Sequence, residues 1–202
     1  MTTKVTDGMT SGLVKTSNLA SKTPSSKSSG DEGKVVQLNA AGVIPTVYGG
    51  GRVLQVAQAV VTAAVSGTGV IPADDSIPQN TEGTEGMTLA FTPTAATSTL
   101  YIDIRASVRN NHSGSNQLCA ALFVDSTANA LAAVGQLTAA DEGGVFSINH
   151  SVSAASTSAR TYKVRFGGNN SATTTLNCVQ GATTRIYGGV ASSTITITEI
   201  GA

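Results

Sequence analysis

Apolar and polar residues alternate with a period of two along most of the chain after residue 52. The clearest alternating runs are residues 100–105, 162–166 and 194–199. A period of two is typical of β-strands that bury one face and expose the other. The same reasoning predicts further strands at residues 117–125, 145–153, 174–179 and 184–187.

Clusters of Gly, Asn, Asp and Ser separate these runs, as expected for turns. They lie at residues 109–115, 141–144, 167–170 and 188–189. About eight to ten short strands at a spacing of roughly 10 residues predict an all-β fold, an antiparallel β-sandwich of the jelly-roll type. Residues 53–65 and 128–133 are rich in Ala and could be helical by propensity. Alternation in the first of these two stretches favours a strand there.

The first 34 residues have a different composition from the remainder. They contain five Lys, no Arg and no aromatic residue, and residues 21–30 have the Ser-rich composition of a linker. Such a segment has too little apolar surface to fold alone, so it is either a disordered tail or an arm that a partner orders. We therefore predict an extended N-terminal arm at 1–34, a connector at 35–51 and a β-sandwich domain at 52–202.

Charge and hydropathy exclude two classes of partner. The chain has 12 basic and 12 acidic residues, and this lack of a basic excess disfavours nucleic-acid binding. The most apolar stretch, residues 53–65, is interrupted by Gln55 and Gln58 and is too short to cross a membrane. No apolar run typical of a signal peptide follows Met1, which favours a cytosol-like compartment. Cys119 and Cys178 are predicted to be buried thiols, with a disulfide as the less favoured alternative.

Residues that could carry chemistry are few. His112 in a predicted loop and His150 in a predicted strand have no nucleophile or metal-ligand spacing around them, so we predict no catalytic residue, no cofactor and no enzyme. An acidic cluster in a loop rich in Gly, Pro and Thr could offer oxygen ligands to Ca²⁺, although it lacks the spacing of an EF-hand. Its members are Asp74, Asp75, Glu82 and Glu85. A solvated acidic loop is the favoured interpretation.

Several short motifs in residues 51–202 resemble the β domain found in fibre and head-decoration proteins of tailed bacteriophages. They are residues 51–58, 74–85, 87–94, 98–102, 121–125 and 187–199. Residues 5–9 and 33–42 are similar to the attachment and linker segments of the same proteins. The resemblance implies a virion surface protein, usually a homotrimer, with an N-terminal anchor and a C-terminal jelly-roll-like knob. It implies no catalytic residues.

This resemblance gives the arm an expected role, which is to attach the protein to capsid or tail proteins. Its few apolar side chains are the expected anchors: Val5, Leu13, Val14 and Leu19. Arm and connector are short and contain no rod or heptad repeat, which favours the capsid over the tail. We expect the protein in the virion, assembled in the host cytoplasm. Strands rich in Thr, Ser and Ala have a limited core of their own, which independently favours a homotrimer.

The competing prediction is a tail fibre or receptor-binding protein. In it, two loops would present polar side chains to a host surface glycan. The residues concerned are Arg109, Asn110, Asn111, His112, Asn169 and Asn170. Ordinary hairpin tips are the simpler explanation, and the chain has few aromatic side chains on which a sugar could stack. A depolymerase would need paired carboxylates in a groove and is disfavoured.

Overall fold

A computed structural model describes residues 51–179 and 182–202. The predicted arm, residues 1–34 with its four anchors, and the connector up to residue 50 lie outside the described residues. The described strands are β1 (Val53–Val61), β2 (Val65–Gly67), β3 (Thr84–Phe91), β4 (Thr99–Asn110), β5 (Asn116–Val124), β6 (Ala132–Thr138), β7 (Gly143–Ser153), β8 (Arg160–Gly168), β9 (Thr174–Leu176) and β10 (Ser193–Ile200). In this part of the chain, no helix is long and apolar enough to span a membrane.

The strands form two antiparallel sheets. The front sheet has the order β1-β10-β4-β7, and the back sheet has the order β3-β8-β5-β6. β9 and β2 extend the front sheet past the ends of β10 and β1, because β10 pairs with Thr99–Arg105 of β4 and β9 with Val108–Asn110. β1 and β2 are thus two parts of one interrupted strand, and β9 and β10 are two parts of another. Counting each pair once leaves eight strands in jelly-roll order, which confirms the predicted sandwich.

The core lies between the two sheets and follows the predicted alternation. Leu100, Ile102 and Ile104 of β4 are buried, and so are the inward residues of β8 and β10. All four Phe of the chain are buried as well: Phe91, Phe123, Phe146 and Phe166. Three of these Phe, all except Phe123, lie in the core between the sheets, so the core is fuller than the overall composition suggests. The limited core that the composition suggested is therefore a poor argument for a trimer.

Several predicted elements differ from the structure. The strand predicted at 53–65 ends at Val61 and resumes at Val65. The strand predicted at 184–187 is absent from the described residues: only Arg185 makes an isolated bridge, to Cys178, and Tyr187–Gly189 is a short 3-10 turn. β9 ends at Leu176, short of the predicted 179. Residues 128–133, left open between helix and strand, are a turn followed by the start of β6.

The connection between β2 and β3, residues 68–83, crosses the outer side of the back sheet, and we call it the cover segment. At one end Ile71 N–H donates to the carbonyl of Gly168 (2.9 Å), and at the other Asn80 N–H donates to the carbonyl of Ala128 (2.8 Å). Ala121 and Phe123 of β5 point to this side, yet both are buried. The part of the back sheet's outer face around Ala121 and Phe123 is therefore covered by the chain itself, whereas Leu137 of β6 stays exposed.

Candidate functional site

The two loops predicted to face a receptor lie side by side at one end of the sandwich. Asn111 N–H donates to the carbonyl of Thr173 (3.1 Å), and Thr173 N–H donates to Oδ1 of Asn111 (2.9 Å). Asn169 and Gln117 exchange a similar pair of hydrogen bonds, of 2.9 and 3.3 Å. These contacts join residues that are more than 50 positions apart in the chain into one loop surface.

Within that surface, most of the predicted receptor-facing amides are engaged in shaping the loops. The side chain of Asn110 is fully buried: its Nδ2 donates to the carbonyl of Glu142 (2.9 Å), and its Oδ1 accepts from His112 N–H (2.8 Å). Oδ1 of Asn170 accepts from Ala172 N–H (3.0 Å). Such hydrogen bonds stabilise the turns, and the buried amide of Asn110 is not available to a ligand. Asn110 therefore closes the end of the sandwich and does not reach the surface.

Two other members of that set, His112 and Arg109, flank the loop. His112 is half-buried, with its Nδ1 2.9 Å from the carbonyl oxygen of Gly114. Arg109 is half-buried near the end of β4. The two exposed amides of the set are Asn111 and Asn169, and each uses its Oδ1 on a backbone N–H. Contact of this loop surface with a glycan stays a prediction.

The four residues of the predicted acidic cluster do not converge on a cation site: Asp74, Asp75 and Glu82 lie in the cover segment, and Glu85 lies on β3. Oδ1 of Asp74 accepts hydrogen bonds from the Ser76 hydroxyl and N–H, which lower the pKa of Asp74. Oε2 of Glu82 accepts from Gln79 N–H (2.9 Å), and Glu85 lies near Lys163 and Arg165 of β8. Within the described ranges, no three metal-ligating side chains cluster. The solvated-loop interpretation fits this arrangement better than the Ca²⁺ site.

Both cysteines are free thiols. Burial, with the nearby Glu82 as a second cause, raises the pKa of Cys119 to about 11. Burial also raises the pKa of Cys178, which is completely enclosed beside β9. A thiol with a raised pKa stays protonated at neutral pH and is a poor nucleophile, so these residues serve packing.

Sequence reasoning missed a buried carboxylate, Glu199, at the end of β10. Its oxygens accept hydrogen bonds from the backbone N–H of Thr94 (2.9 Å) and Ala95 (3.0 Å), from Oγ of Ser98 (2.6 Å) and from Nε2 of Gln55 (2.7 Å). Burial raises the pKa of Glu199, but these hydrogen bonds outweigh it and lower the pKa to about 2. The ionised carboxylate fastens the connection between β3 and β4 to the front sheet.

A second missed feature is the junction at which the front-sheet strands are interrupted. Asn177 has a left-handed backbone (φ 60°), and its Nδ2 donates to the carbonyls of Val61 (2.7 Å) and Ala63 (3.3 Å). Ser193 Oγ donates to Oδ1 of Asn177 (2.8 Å) and accepts from Ser107 N–H (3.0 Å). These buried side chains replace ladder hydrogen bonds where the chain leaves the sheet between β9 and β10.

The outer side of the front sheet, which we call the front face, forms a regular surface. Three rows of paired residues run across it from β1 through β10 and β4 to β7. They are Val56-Thr198-Tyr101-Ser151, Gln58-Thr196-Asp103-Asn149 and Val60-Thr194-Arg105-Ser147. Val56, Val60 and Tyr101 are each more than half exposed (58%, 55% and 53%). The face is thus flat, built of small and β-branched side chains, and partly apolar.

Comparison with known proteins adds little to this picture. No family model and no curated protein matches the chain. A solved structure of T=1 particles derived from infectious bursal virus matches 74% of the chain at 13% identity and a TM-score of 0.31. The VP2 subviral particle of infectious bursal disease virus matches 74% at 12% identity and a TM-score of 0.30. The chain aligns with 37% and 38% of the length of these proteins. A likeness this distant carries no argument about function.

The described residues present both buried polar clusters and exposed surfaces. The polar groups that the fold brings together, around Asn110, Asn177 and Glu199, are buried and hydrogen-bonded to the backbone of neighbouring connections. Such groups hold loops and strand junctions in place. The exposed features are the loop surface at one end of the sandwich and the front face.

Proposed function

We propose that this chain is a structural protein of a tailed-bacteriophage virion. Residues 1–34 anchor it to the capsid surface, and residues 52–202 are displayed as a β knob, in a homotrimer. The observation that carries the proposal is the eight-stranded jelly roll, an arrangement common in viral capsid proteins, whose buried polar groups brace its own connections. The resemblance of the short motifs in residues 51–202 points the same way.

A tail fibre or receptor-binding protein is the second candidate. The observation in its favour is that Asn111 is hydrogen-bonded to Thr173, just beyond the second loop, which brings the loops at 109–115 and 167–170 to the same end of the sandwich. The burial of Asn110, which removes one predicted contact residue from this surface, makes it a weaker candidate for a ligand site. The capsid role is therefore the primary proposal.

The anchoring role predicts the behaviour of a chain that lacks residues 1–34. It should keep the β-sheet circular dichroism and the melting temperature of the full chain, because the core lies between the two sheets. It should fail to co-sediment with particles that lack the protein, whereas the full chain should bind them. As a matched variant of full length, Leu13→Asp/Val14→Asp should weaken binding too. Equal decoration by truncated and full chains would overturn the anchoring role.

The proposed homotrimer is checked separately by size exclusion with light scattering. The full chain should elute with a mass of three times 20.2 kDa. We expect this mass to persist at the lowest concentration at which scattering is measurable, since obligate oligomers rarely have a stable monomer. A stable particle of one chain mass would rule the trimer out.

A further inference from the structure

Four polar side chains close the core at the end of the sandwich that carries the loops, and we call them the polar layer. All four are buried, two from each sheet: Asn110 of β4, Thr174 of β9, Asn116 of β5 and Thr138 of β6. Two residues further into the core, the side chains on β4, β5 and β9 are apolar: Val108, Leu118 and Leu176. The polar layer is therefore the boundary between the apolar core and the loops.

Direct hydrogen bonds satisfy part of this layer. Nδ2 of Asn110 lies 3.3 Å from Oγ1 of Thr138, which in turn donates to the carbonyl of Asn116 (3.0 Å). Two atoms are exceptions: Oδ1 of Asn116 and Oγ1 of Thr174 are buried and have no hydrogen-bond partner among the described residues. Because a buried oxygen without a partner costs free energy, native proteins supply one, either a protein group or an ordered water.

The two unpaired oxygens belong to the same region of the layer. Thr174 is paired with Asn110 on the neighbouring strand, so both side chains point to the inside of the sandwich. A Cβ on Gly168, at the end of β8, would lie 2.6 Å from Nδ2 of Asn116, so this amide packs directly on the backbone there. Residues 169–173 lead from that point to Thr174. Asn116 and Thr174 thus lie on facing sheets beneath one short connection.

The chemistry of the layer limits what can bind between these oxygens. The four side chains are neutral, so an ion would lose its hydration without gaining an opposite charge. The amide oxygen of Asn116 only accepts hydrogen bonds, whereas the hydroxyl of Thr174 can also donate one. A single water can both donate and accept, and it is small enough for a packed interior. Buried waters typically have two to four polar partners of this kind.

We propose that the polar layer binds a buried water, which donates a hydrogen bond to Oδ1 of Asn116 and accepts one from Oγ1 of Thr174. The water joins β5 of the back sheet to β9 of the front sheet at the point where apolar packing ends. Thr175 is separate from this site. Its Oγ1 is also without a partner in the described part of the chain, but it lies on the opposite side of β9, next to Ser66 in the register.

Thr174→Val tests the site in the full chain, because Val has the shape of Thr and lacks the hydroxyl. It should lower the melting temperature by about 2–4 °C, since the hydrogen bond to the water is lost. If Oγ1 of Thr174 had no partner, the same change would remove a desolvated hydroxyl and raise the melting temperature. Thr88→Val is the matched control at an exposed position of β3 and should leave the melting temperature unchanged.

Magnetic relaxation dispersion of water oxygen observes the water itself, because a water held longer than the tumbling time of the protein contributes to the relaxation. Thr174→Val should lower this contribution by about one water per chain. Thr174→Ser keeps the hydroxyl and should retain the water, and so should Thr88→Val. Circular dichroism verifies that each variant is folded.

A measurement on the unchanged chain needs no variant. Nuclear Overhauser effects should pass from water to the side-chain amide hydrogens of Asn116, and their absence overturns the proposal even if Thr174→Val does not fold. The proposal is equally overturned if folded Thr174→Val melts at or above the temperature of the unchanged chain, or if its water relaxation equals that of the unchanged chain.

Discussion

Glu199→Gln is expected to lower the free energy of unfolding by about 3 kcal/mol at neutral pH. The carboxylate accepts from Thr94, Ala95 and Ser98, and an amide in its place directs NH₂ hydrogens at some of these donors. Urea denaturation measures the loss. Glu142→Gln is the control, because Glu142 is exposed and accepts one long bond, from Ala139 N–H (3.2 Å); its effect should stay below about 0.5 kcal/mol.

The same carboxylate predicts how stability depends on pH. The pKa of Glu199 is about 2 in the folded chain and 4.5 in an unperturbed Glu, so the folded state binds the proton less tightly than the unfolded state. Its contribution is fully present above pH 4.5 and is lost as the pH falls from 4.5 towards 2. The unfolding free energy of Glu199→Gln should vary less over that window than that of the unchanged chain. If the unfolding free energies of the two proteins fall equally between pH 4.5 and pH 2, Glu199 does not have this role.

Asn177→Ala is expected to lower the free energy of unfolding by about 3 kcal/mol, because it removes three buried hydrogen bonds. It also places Ala at a positive φ, where Asn is better tolerated because its side-chain amide can hydrogen-bond locally. The carbonyls of Val61 and Ala63 and the hydroxyl of Ser193 would lose their partner. Chemical denaturation gives the size of the loss. Hydrogen exchange should locate it at the end of β1 and in β9.

Asn177→Gly separates the two causes, since Gly accepts the left-handed backbone without strain. It should lose the hydrogen bonds alone and be about 1 kcal/mol more stable than Asn177→Ala. Asn149→Ala, on the exposed side of β7, is the matched control and should change stability by less than about 0.5 kcal/mol. If Asn177→Ala is as stable as this control, the junction does not depend on the Asn177 side chain.

The parts of the fold that depend on local pattern could be predicted from the sequence. Alternation placed the strands around Ile102, Val164 and Ile197, because a sandwich buries one side of each. The whole of β3, Thr84–Phe91, was missed, and a register shift between Glu85 and Met87 interrupts the alternation near its start. The sequence at 184–187 suits a strand, but β4 already pairs with β9 and β10 on that side. Which strands find partners is a property of the whole sheet.

In the candidate site, too, some features follow from the local sequence pattern and others depend on the whole fold. Loops 109–115 and 167–170 were both predicted, whereas their contact depends on jelly-roll connectivity, which no local pattern contains. Alternation places Glu199 on the same side as Ile195 and Ile197, so the pattern did signal its burial. The general rule that carboxylates are exposed concealed that signal. Hydrogen bonds from Thr94 and Ala95, more than 100 residues away, make the exception stable.

Electron microscopy of particles labelled with an antibody against residues 52–202 tests the central claim most directly. If the chain is a capsid-anchored structural protein, label should lie over the head of each intact particle. Particles assembled with the chain that lacks residues 1–34 should carry none. Label at the tail would favour the receptor-binding alternative. Intact particles without label would contradict a role in the virion.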